Sequence, residues 1–166
     1  MTRQSLTAPD GPVVSSERTL RALVAIRREK LIPELYGSVT IARSNFEAMH
    51  DVLPDAPAWL RIDRDRPDQS LPPRVVGADG SEAATLRLAL AIPASLVLLD
   101  GPIKECAKLS FIKAEGVVSI LVAAYRLGLL SAVRPMVKAL EKLGHEAVLP
   151  SPEQLEALWR ALDELG

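Results

Sequence analysis

The 166-residue sequence is poor in cysteine and in aromatic residues, and both shortages exclude classes of structure. Cys106 is the only cysteine, so the chain can form neither an internal disulfide nor a cysteine-based zinc site. Aromatic residues make up 4% of the sequence, so aliphatic side chains and alanine must fill the core. A single cysteine is typical of a protein from a reducing compartment, and we expect a cytoplasmic location.

The sequence also lacks an excess of charge and a long apolar run. Its 20 Lys and Arg residues and 21 Asp and Glu residues give a net charge of −1, so nucleic-acid binding would need a local basic patch. The longest apolar segments, LALAIPASLVLL and VVSILVAAY, are shorter than the roughly 20 residues of a membrane helix. The N-terminal MTRQSLTAPDGP has no apolar core of the signal-peptide type, and we expect no membrane association.

What the sequence does contain is an alternation of short strand-like runs and helical repeats. Strand-like runs lie at 12–15, within 35–42, within 56–62, at 74–76 and at 95–100. Helical spacing of apolar residues follows several of them. Strands that alternate with helices predict a central parallel sheet with helices on both faces. We expect residues 1–11 to be a lead-in and residues 12–166 to form one domain with a C-terminal helical tail.

Hydroxyl and acidic residues mark where several helices begin. Ser16 precedes a helical run that extends to about residue 30, which makes it a candidate N-cap. Asp79 and Glu82 stand in the order of a capping box, and so do Ser151 and Gln154. A capping role is therefore one interpretation of Glu82.

Asp100 ends the most strand-like run of the sequence, SLVLLD, and a Gly-Pro pair follows it at once. Because this run is apolar throughout, we expect a strand that is covered on both faces. Ligands of parallel sheets bind beyond the carboxyl ends of the strands. The carboxylate of Asp100 is therefore either a cap for the following helix or a functional group at the rim of the sheet.

Four segments of the sequence share their order and spacing with one known family. They are VVSSERTLRALVAIRREKLIPELYGSVTIA, GSEAATLRLAL, SLVLLDGPIKECAKL and the stretch from GVVSILVAAY to the C-terminus. Together they resemble PIN domains, in a family related to VapC-type toxin ribonucleases. The resemblance implies a three-layer α/β fold and metal-dependent cleavage of RNA. In active PIN domains, three or four acidic side chains at the carboxyl edge of the sheet hold one or two Mg²⁺ or Mn²⁺ ions.

The acidic pattern of that family is incomplete when it is carried over residue by residue. Its first acidic position is Ser16, and its second falls on Ala48, with Glu47 next to it. The third position matches Glu82 when Ser81 is counted as a one-residue insertion after Gly80, and the fourth matches Asp100. The resemblance therefore implies Asp100 and Glu82 as the catalytic and metal-binding residues.

Two further positions complete the comparison with the family. The residue after Asp100 is often acidic there but is Gly101 here, and Glu115 lies near a last acidic or hydroxyl position. Ser16, Glu47 and Glu115 are thus the candidate accessory residues. We interpret the chain as a PIN-like protein of toxin–antitoxin ancestry that binds nucleic acid, with a degenerate site and weak or no nuclease activity. The alternatives are an active Mg²⁺- or Mn²⁺-dependent RNA endonuclease and a non-catalytic module for protein interaction or dimerisation.

Loss of carboxylates from the rim would reduce its repulsion of phosphate, so backbone binding without cleavage becomes a hypothesis. The candidate contacts lie near helix starts, which favour anions, and are Arg18, Arg21, Lys104 and Lys108. The alternative for each is an ordinary solvated surface charge. The partners that we expect are RNA, an antitoxin-like protein and a second copy of the chain in a homodimer.

Two features lie outside this pattern. His50 and His145 have no metal-ligand neighbour at helical spacing, and we expect both to be surface residues. The last helix carries an apolar stripe, which predicts either packing onto the domain or a surface for a dimer or partner. The stripe consists of Leu155, Leu158, Trp159 and Leu162.

Overall fold

The computed structural model describes residues 10–165 and contains one parallel sheet in that range. Its strands are β1 (Val13–Ser15), β2 (Val39–Ala42), β3 (Leu60–Asp63), β4 (Leu96–Leu98) and β5 (Ala114–Glu115). They lie in the order β3-β2-β1-β4-β5, and every neighbouring pair is parallel. The predicted parallel sheet is therefore confirmed.

Helices connect successive strands and continue after the last one. They are α1 (Glu17–Ala25), α2 (Leu31–Tyr36), α3 (Arg43–Ala48), α4 (Gly80–Ala91), α5 (Ile103–Leu109), α6 (Val117–Arg126), α7 (Arg134–Lys142) and α8 (Pro152–Leu165), and a 3₁₀ turn spans Glu146–Val148. Across residues 10–165, no helix has both the length and the apolar character needed to cross a bilayer.

Side chains of the strands alternate between two apolar cores, one on each face of the sheet. Val13 and Leu98 belong to a core that α1, α2, α6, α7 and α8 complete. Val14 and Val97 belong to the other core, which α4 and α5 complete. The alternation follows from the pleat of a strand, and burial of both faces is usual for a parallel sheet. This is the predicted three-layer α/β fold, with helices on both faces of the sheet.

Two of the predicted N-caps form as expected. The Ser16 hydroxyl accepts the N–H of Thr19 at 3.2 Å and caps α1. At the start of α8, the Ser151 N–H donates to the Gln154 side chain at 3.0 Å, and the Gln154 N–H donates to the Ser151 hydroxyl at 3.2 Å. Both caps satisfy N–H groups that a first helical turn leaves without a partner inside the helix.

Two local predictions are wrong, and one short helix was missed. No strand forms at 74–76, because Val75 is buried against the α4–α5 layer while Val76 is 67% exposed, so the apolar pair anchors a loop. Helix α1 ends at Ala25, earlier than predicted, since Arg27 takes a positive φ of 58°. Helix α2 was not predicted, because six residues that include a proline carry too little periodicity.

The apolar stripe of α8 packs onto the rest of the protein. Leu162 is buried, and the other stripe residues are partly buried against the core on the α1 face. The guanidinium carbon of Arg134, on α7, lies 4.9 Å from the centre of the Trp159 ring, a cation–π contact that joins α7 to α8. The packing interpretation of this stripe is confirmed.

Candidate functional site

Ser16 and Asp100 lie at the carboxyl ends of neighbouring strands. From β1 the chain builds β2 and β3 on one side, and it later adds β4 and β5 on the other side of β1. Ser16 follows β1 directly, and its N–H donates to the carbonyl of Leu98, the last residue of β4, at 2.8 Å. In open parallel sheets such a reversal of strand order forms a crevice in which ligands bind.

The carboxylate of Asp100 is buried and hydrogen-bonded to two protein donors. The residue is 4% exposed. Its Oδ2 accepts the hydroxyl of Thr19 at 2.6 Å, and its two carboxylate oxygens lie 3.2 and 3.1 Å from the backbone nitrogen of Val117. Burial raises the pKa of Asp100 above its ordinary value, and the hydrogen bonds from Thr19 and Val117 oppose that rise, as do the charges of Lys104 and Arg18.

Asp100 caps helix α6 rather than the helix that follows it in the sequence. Val117 is the first residue of α6, and Gly116 before it has no side chain that could act as a cap. A Cβ at position 116 would collide with the Asp100 carboxylate, which explains the glycine there. Asp100 is therefore both a cap and a rim carboxylate, although the helix that it caps is α6 and not α5.

Thr19 joins Ser16 to Asp100, and no sequence pattern singled it out as a site residue. Its hydroxyl is buried, donates to Asp100 and accepts a hydrogen bond from the Ser16 hydroxyl at 2.9 Å. The spacing did contain a signal for Thr19, because a residue three positions after an N-cap lies beside the cap on the helix surface. Ser16, Thr19 and Asp100 thus form a buried polar chain across the ends of β1 and β4.

Glu82 serves a capping box and an ion pair beside this chain. The Asp79 N–H donates to Glu82 Oε1 at 3.0 Å, and the Glu82 N–H donates to Asp79 Oδ1 at 2.7 Å, which confirms the predicted box. The guanidinium of Arg18 lies 3.6 Å from Glu82 and 3.9 Å from Asp79. Glu82 is therefore already engaged by the backbone and by an arginine.

Arg18 occupies the space next to Gly101, the position that is often acidic in the resembled family. A Cβ added at Gly101 would lie 2.6 Å from Nη1 of Arg18 and 3.8 Å from Oε2 of Glu82. The backbone of Gly101 has a φ of +89°, so any other residue would be strained there. Where the acidic pattern has a further carboxylate, this protein has a guanidinium.

Arg21 forms a second ion-pair cluster at the same rim. Its guanidinium lies 3.1 Å from Glu17 and 3.0 Å from Asp51, and it donates to the carbonyl of Ala48 at 2.9 Å. The hydrogen bond from Arg21 lowers the pKa of Asp51 below its ordinary value. Arg21 is thus committed to protein partners, and Glu17 joins the site although no sequence pattern pointed to it.

An open cavity of about 290 Å³, which we call the rim cavity, lies between Ser16, Asp100 and the charged side chains around them. His145, expected to be an ordinary surface residue, borders it as well. The charged groups that line it are Glu17, Asp79, Glu82, Asp100, Arg18 and Arg21. Each of the four carboxylates already faces a protein donor.

The donor set does not fit a divalent ion. Within residues 10–165, no three His, Cys, Asp or Glu side chains form a group that could hold a metal. Mg²⁺ takes octahedral oxygen ligands and gives up its water reluctantly, so it needs carboxylate oxygens that are free and close together. At this rim the carboxylates are spaced around two guanidinium groups instead.

Neither of the two predicted accessory glutamates lines the 290 Å³ rim cavity. Glu47 is exposed on α3 and does not border the rim cavity. Glu115, at the end of β5, accepts a hydrogen bond from the hydroxyl of Tyr36 at 3.3 Å. Burial raises the pKa of Tyr36, and the charge of Glu115 adds to that rise. Of the three predicted accessory residues, only Ser16 lines this cavity together with Asp100.

Lys104 and Lys108 differ from the two arginines, because neither lysine forms an ion pair in the described part of the chain. Lys104 borders a second open cavity, of about 610 Å³, which Asp100 and Val148 also line. Lys108 is exposed one turn farther along α5. Of the four predicted nucleic-acid contacts, the two arginines form ion pairs, Lys104 is partly buried and its charge acts on Asp100 without a close ion pair, and Lys108 is exposed.

Comparison with known proteins adds one match. A family model described as PIN domain matches residues 12–160, which is the whole sequence except its first eleven and last six residues. No curated protein and no solved structure matches the chain. All the residues that line the rim cavity lie inside the matched range.

Proposed function

This chain belongs to the PIN domain family, which is nuclease-like, and we propose that it binds single-stranded RNA with weak or no cleavage. The proposal keeps the toxin–antitoxin ancestry that the sequence resemblance implies. One observation carries it: the rim carboxylates are engaged by protein donors, and the guanidinium of Arg18 lies where the family pattern has a further carboxylate.

Metal-assisted cleavage would require these carboxylates to change partners. In such chemistry the ion activates a water and neutralises charge on the scissile phosphate, so its ligands must reach it together. An ion at Asp100 would compete with Thr19 and Val117 for Oδ2, and an ion at Glu82 would have to displace Arg18 from Oε2. A lost hydrogen bond of this kind costs about 1 kcal/mol or more, which disfavours the metal-bound state.

Binding without cleavage agrees with the charges at the rim. Four unpaired carboxylates would repel a phosphodiester, whereas carboxylates paired with arginine repel it much less. Lys104 borders the cavity that contains Asp100, and Lys108 follows one turn later without an anionic partner among the described residues. The net charge of −1 means that only such a local group of cations can hold RNA.

The first experiment measures metal binding, RNA binding and cleavage on the same protein. We expect millimolar Mn²⁺ or Mg²⁺ to leave the Tm unchanged, although a ligand at 100 times its Kd would add about 2.7 kcal/mol to the stability. A single-stranded RNA should bind at low salt, bind more weakly as salt rises, and remain intact. Absence of any RNA binding at low salt would reject the proposal.

A second candidate, an active RNA endonuclease that uses Mg²⁺ or Mn²⁺, is favoured by the four carboxylates that border one cavity. In that case Asp100 and Glu82 would hold the ion after Arg18 had moved aside. Mn²⁺ would then raise the Tm of the wild type, and both this rise and RNA cleavage would be lost in Asp100→Asn and Glu82→Gln. Asp68→Asn, on an exposed loop, is the charge-matched control.

A further inference from the structure

We propose that Phe111 is a stacking platform for a base of the bound RNA, and that Lys104 and Lys108 hold the adjoining backbone. We call these three residues the α5 strip. The inference rests on the RNA-binding function proposed above and gives that function a surface and a chemistry. Phe111 was not among the residues that the sequence pointed to.

The exposure of Phe111 is the first observation. Its side chain is 99% exposed, more than any other large apolar residue among those described. The whole sequence has only two phenylalanines, so exposing one of them withdraws a large side chain from an aromatic-poor core. Leu109 beside it is 59% exposed and enlarges the apolar patch. Packing within the fold does not explain this side chain.

The backbone at Phe111 is the second observation. Phe111 follows α5 in a Schellman turn, in which its N–H donates to Lys108 and the N–H of Ile112 donates to Ala107, both at 3.0 Å. Its φ is +64°, a conformation that glycine adopts without strain and a bulky residue does not. Glycines occupy the equivalent positions after α6 and α7. The protein therefore retains an exposed aromatic residue where glycine would fit the turn better.

Lysines lie close to Phe111 along the chain, with Glu105 as the one acidic residue of α5, and they are the third observation. Lys104 and Lys108 are one helical turn apart, about 6 Å along the axis, and the N–H of Phe111 is anchored to the carbonyl of Lys108. Lys113 is exposed two residues beyond Phe111. No ion pair of these lysines occurs within the described residues. Lys104 borders the cavity at Asp100, and Lys108 lies one turn nearer to Phe111 along the chain.

A nucleic-acid strand suits this combination better than a second copy of the chain. An aromatic ring can stack on any base, and lysines beside it can neutralise successive phosphates, which is how sequence-tolerant single-strand binders work. In a two-fold symmetric dimer the same patch faces itself, so Phe111 against Phe111 would bring the lysines of both copies together. Like charges at that distance disfavour the contact.

The experiment compares two 12-residue probes, a labelled single-stranded oligouridylate and an abasic oligomer of the same length. Phe111→Gly should bind the oligouridylate about 5- to 150-fold more weakly, the loss expected when one stacking aromatic is removed. Its affinity for the abasic oligomer should not change, because the phosphates are the same. Lys104→Gln and Lys108→Gln should each lower the slope of log affinity against log salt by about 0.7 with either probe.

Three control variants separate stacking from other effects. The Tm of Phe111→Gly should equal or exceed that of the wild type, since glycine relieves the turn, so lost binding cannot be ascribed to unfolding. Phe111→Trp should retain affinity for the oligouridylate and Phe111→Leu should lose it, although both keep the same backbone strain. Arg27→Gly repeats the change in the equivalent turn after α1 and should not alter the preference for bases over the abasic probe.

Several results would overturn the inference. Equal binding of the oligouridylate by Phe111→Gly and wild type would exclude stacking but leave the proposed RNA-binding function standing. The same holds if Phe111→Gly loses affinity equally for both probes. Self-association in sedimentation that Phe111→Gly abolishes and Phe111→Leu retains would assign the patch to a second copy. If the wild type bound neither probe at low salt, the inference and the proposed function would both fail.

Discussion

The rim at Asp100 and the α5 strip are neighbours in the fold and are built on opposite principles. At the rim every carboxylate is matched by a protein donor: Asp100 by Thr19 and Val117, and Glu82 by Asp79 and Arg18. Along the strip, by contrast, the lysines have no ion pair among the described residues and Phe111 is uncovered.

The difference indicates which region stabilises the protein and which one is open to a ligand. A buried charge that is hydrogen-bonded inside the protein contributes to folding only as long as its partners stay. An exposed cation contributes little to folding and loses little when it exchanges water for a phosphate. The sequence resemblance predicts a ligand site at the rim, whereas the contacts and the exposure of the side chains favour the α5 strip.

The largest effect should come from the rim. Thr19→Val removes a buried hydroxyl that donates to a carboxylate, so we expect a loss of about 1.5–3 kcal/mol in the free energy of unfolding. Thr85→Val is the matched control, because the Thr85 hydroxyl is also buried but bonds to the neutral Ser81 carbonyl and Asn45 amide. This control should lose about 0.5–1.5 kcal/mol. Urea unfolding at neutral pH measures both, and an equal loss would show that the charge of Asp100 adds nothing.

A smaller effect should appear in the pH dependence of stability. The pKa of Asp100 is raised in the folded state, so the folded protein binds more protons than the unfolded chain between the ordinary value of 3.8 and the raised value. This group therefore lowers stability as pH rises through that window. Asp100→Asn removes the contribution, and its stability relative to the wild type should increase over the same window and then level off.

Asp51 provides a control of opposite sign. Arg21 lowers the pKa of Asp51, so the stability from this carboxylate is present above its unfolded value and is lost as pH falls through the lowered value. Asp51→Asn should therefore lose stability relative to the wild type as pH rises. Urea midpoints measured between about pH 2 and 7 compare the two variants, and parallel profiles for both would refute the burial of Asp100 as the cause.

Local signals in the sequence were enough to predict most of the fold. A capping serine, a reciprocal box or an apolar run acts over a few residues, and so Ser16, the Asp79–Glu82 box and the strand before Asp100 were read correctly. Segments that are barely long enough to form a helix or a strand were predicted incorrectly or missed. Helix α2 is six residues long, and Val75 is buried without belonging to a strand, because tertiary packing decides the state of such short pieces.

The partners within the site could not be predicted in the same way. Thr19 and Asp100 are 81 positions apart, and Arg18 reaches Glu82 from a different helix. The helix that Asp100 caps begins 17 positions later, beyond α5 and β5. Spacing rules cover neighbours on one helix or one strand, whereas these contacts depend on how the sheet brings distant segments together. Phe111 has the weakest signal of all, since exposure and a positive φ are properties of the folded chain.

The smallest effect on stability should come from the α5 strip. It tests most directly whether the charges of the strip, unlike those of the rim, are free of the fold. The double variant Lys104→Gln, Lys108→Gln breaks no ion pair in the described residues and removes only the longer-range attraction between Lys104 and Asp100, so stability should change by less than about 0.5 kcal/mol. Arg18→Gln, Arg21→Gln removes the same charge but leaves the rim carboxylates facing one another around the cavity, and it should be clearly less stable. Urea unfolding at low and high salt measures both, and salt should restore part of the arginine loss by screening the carboxylates. An equal loss in the lysine variant would mean that its charges are used by the fold, and the α5 strip would then not be free for RNA.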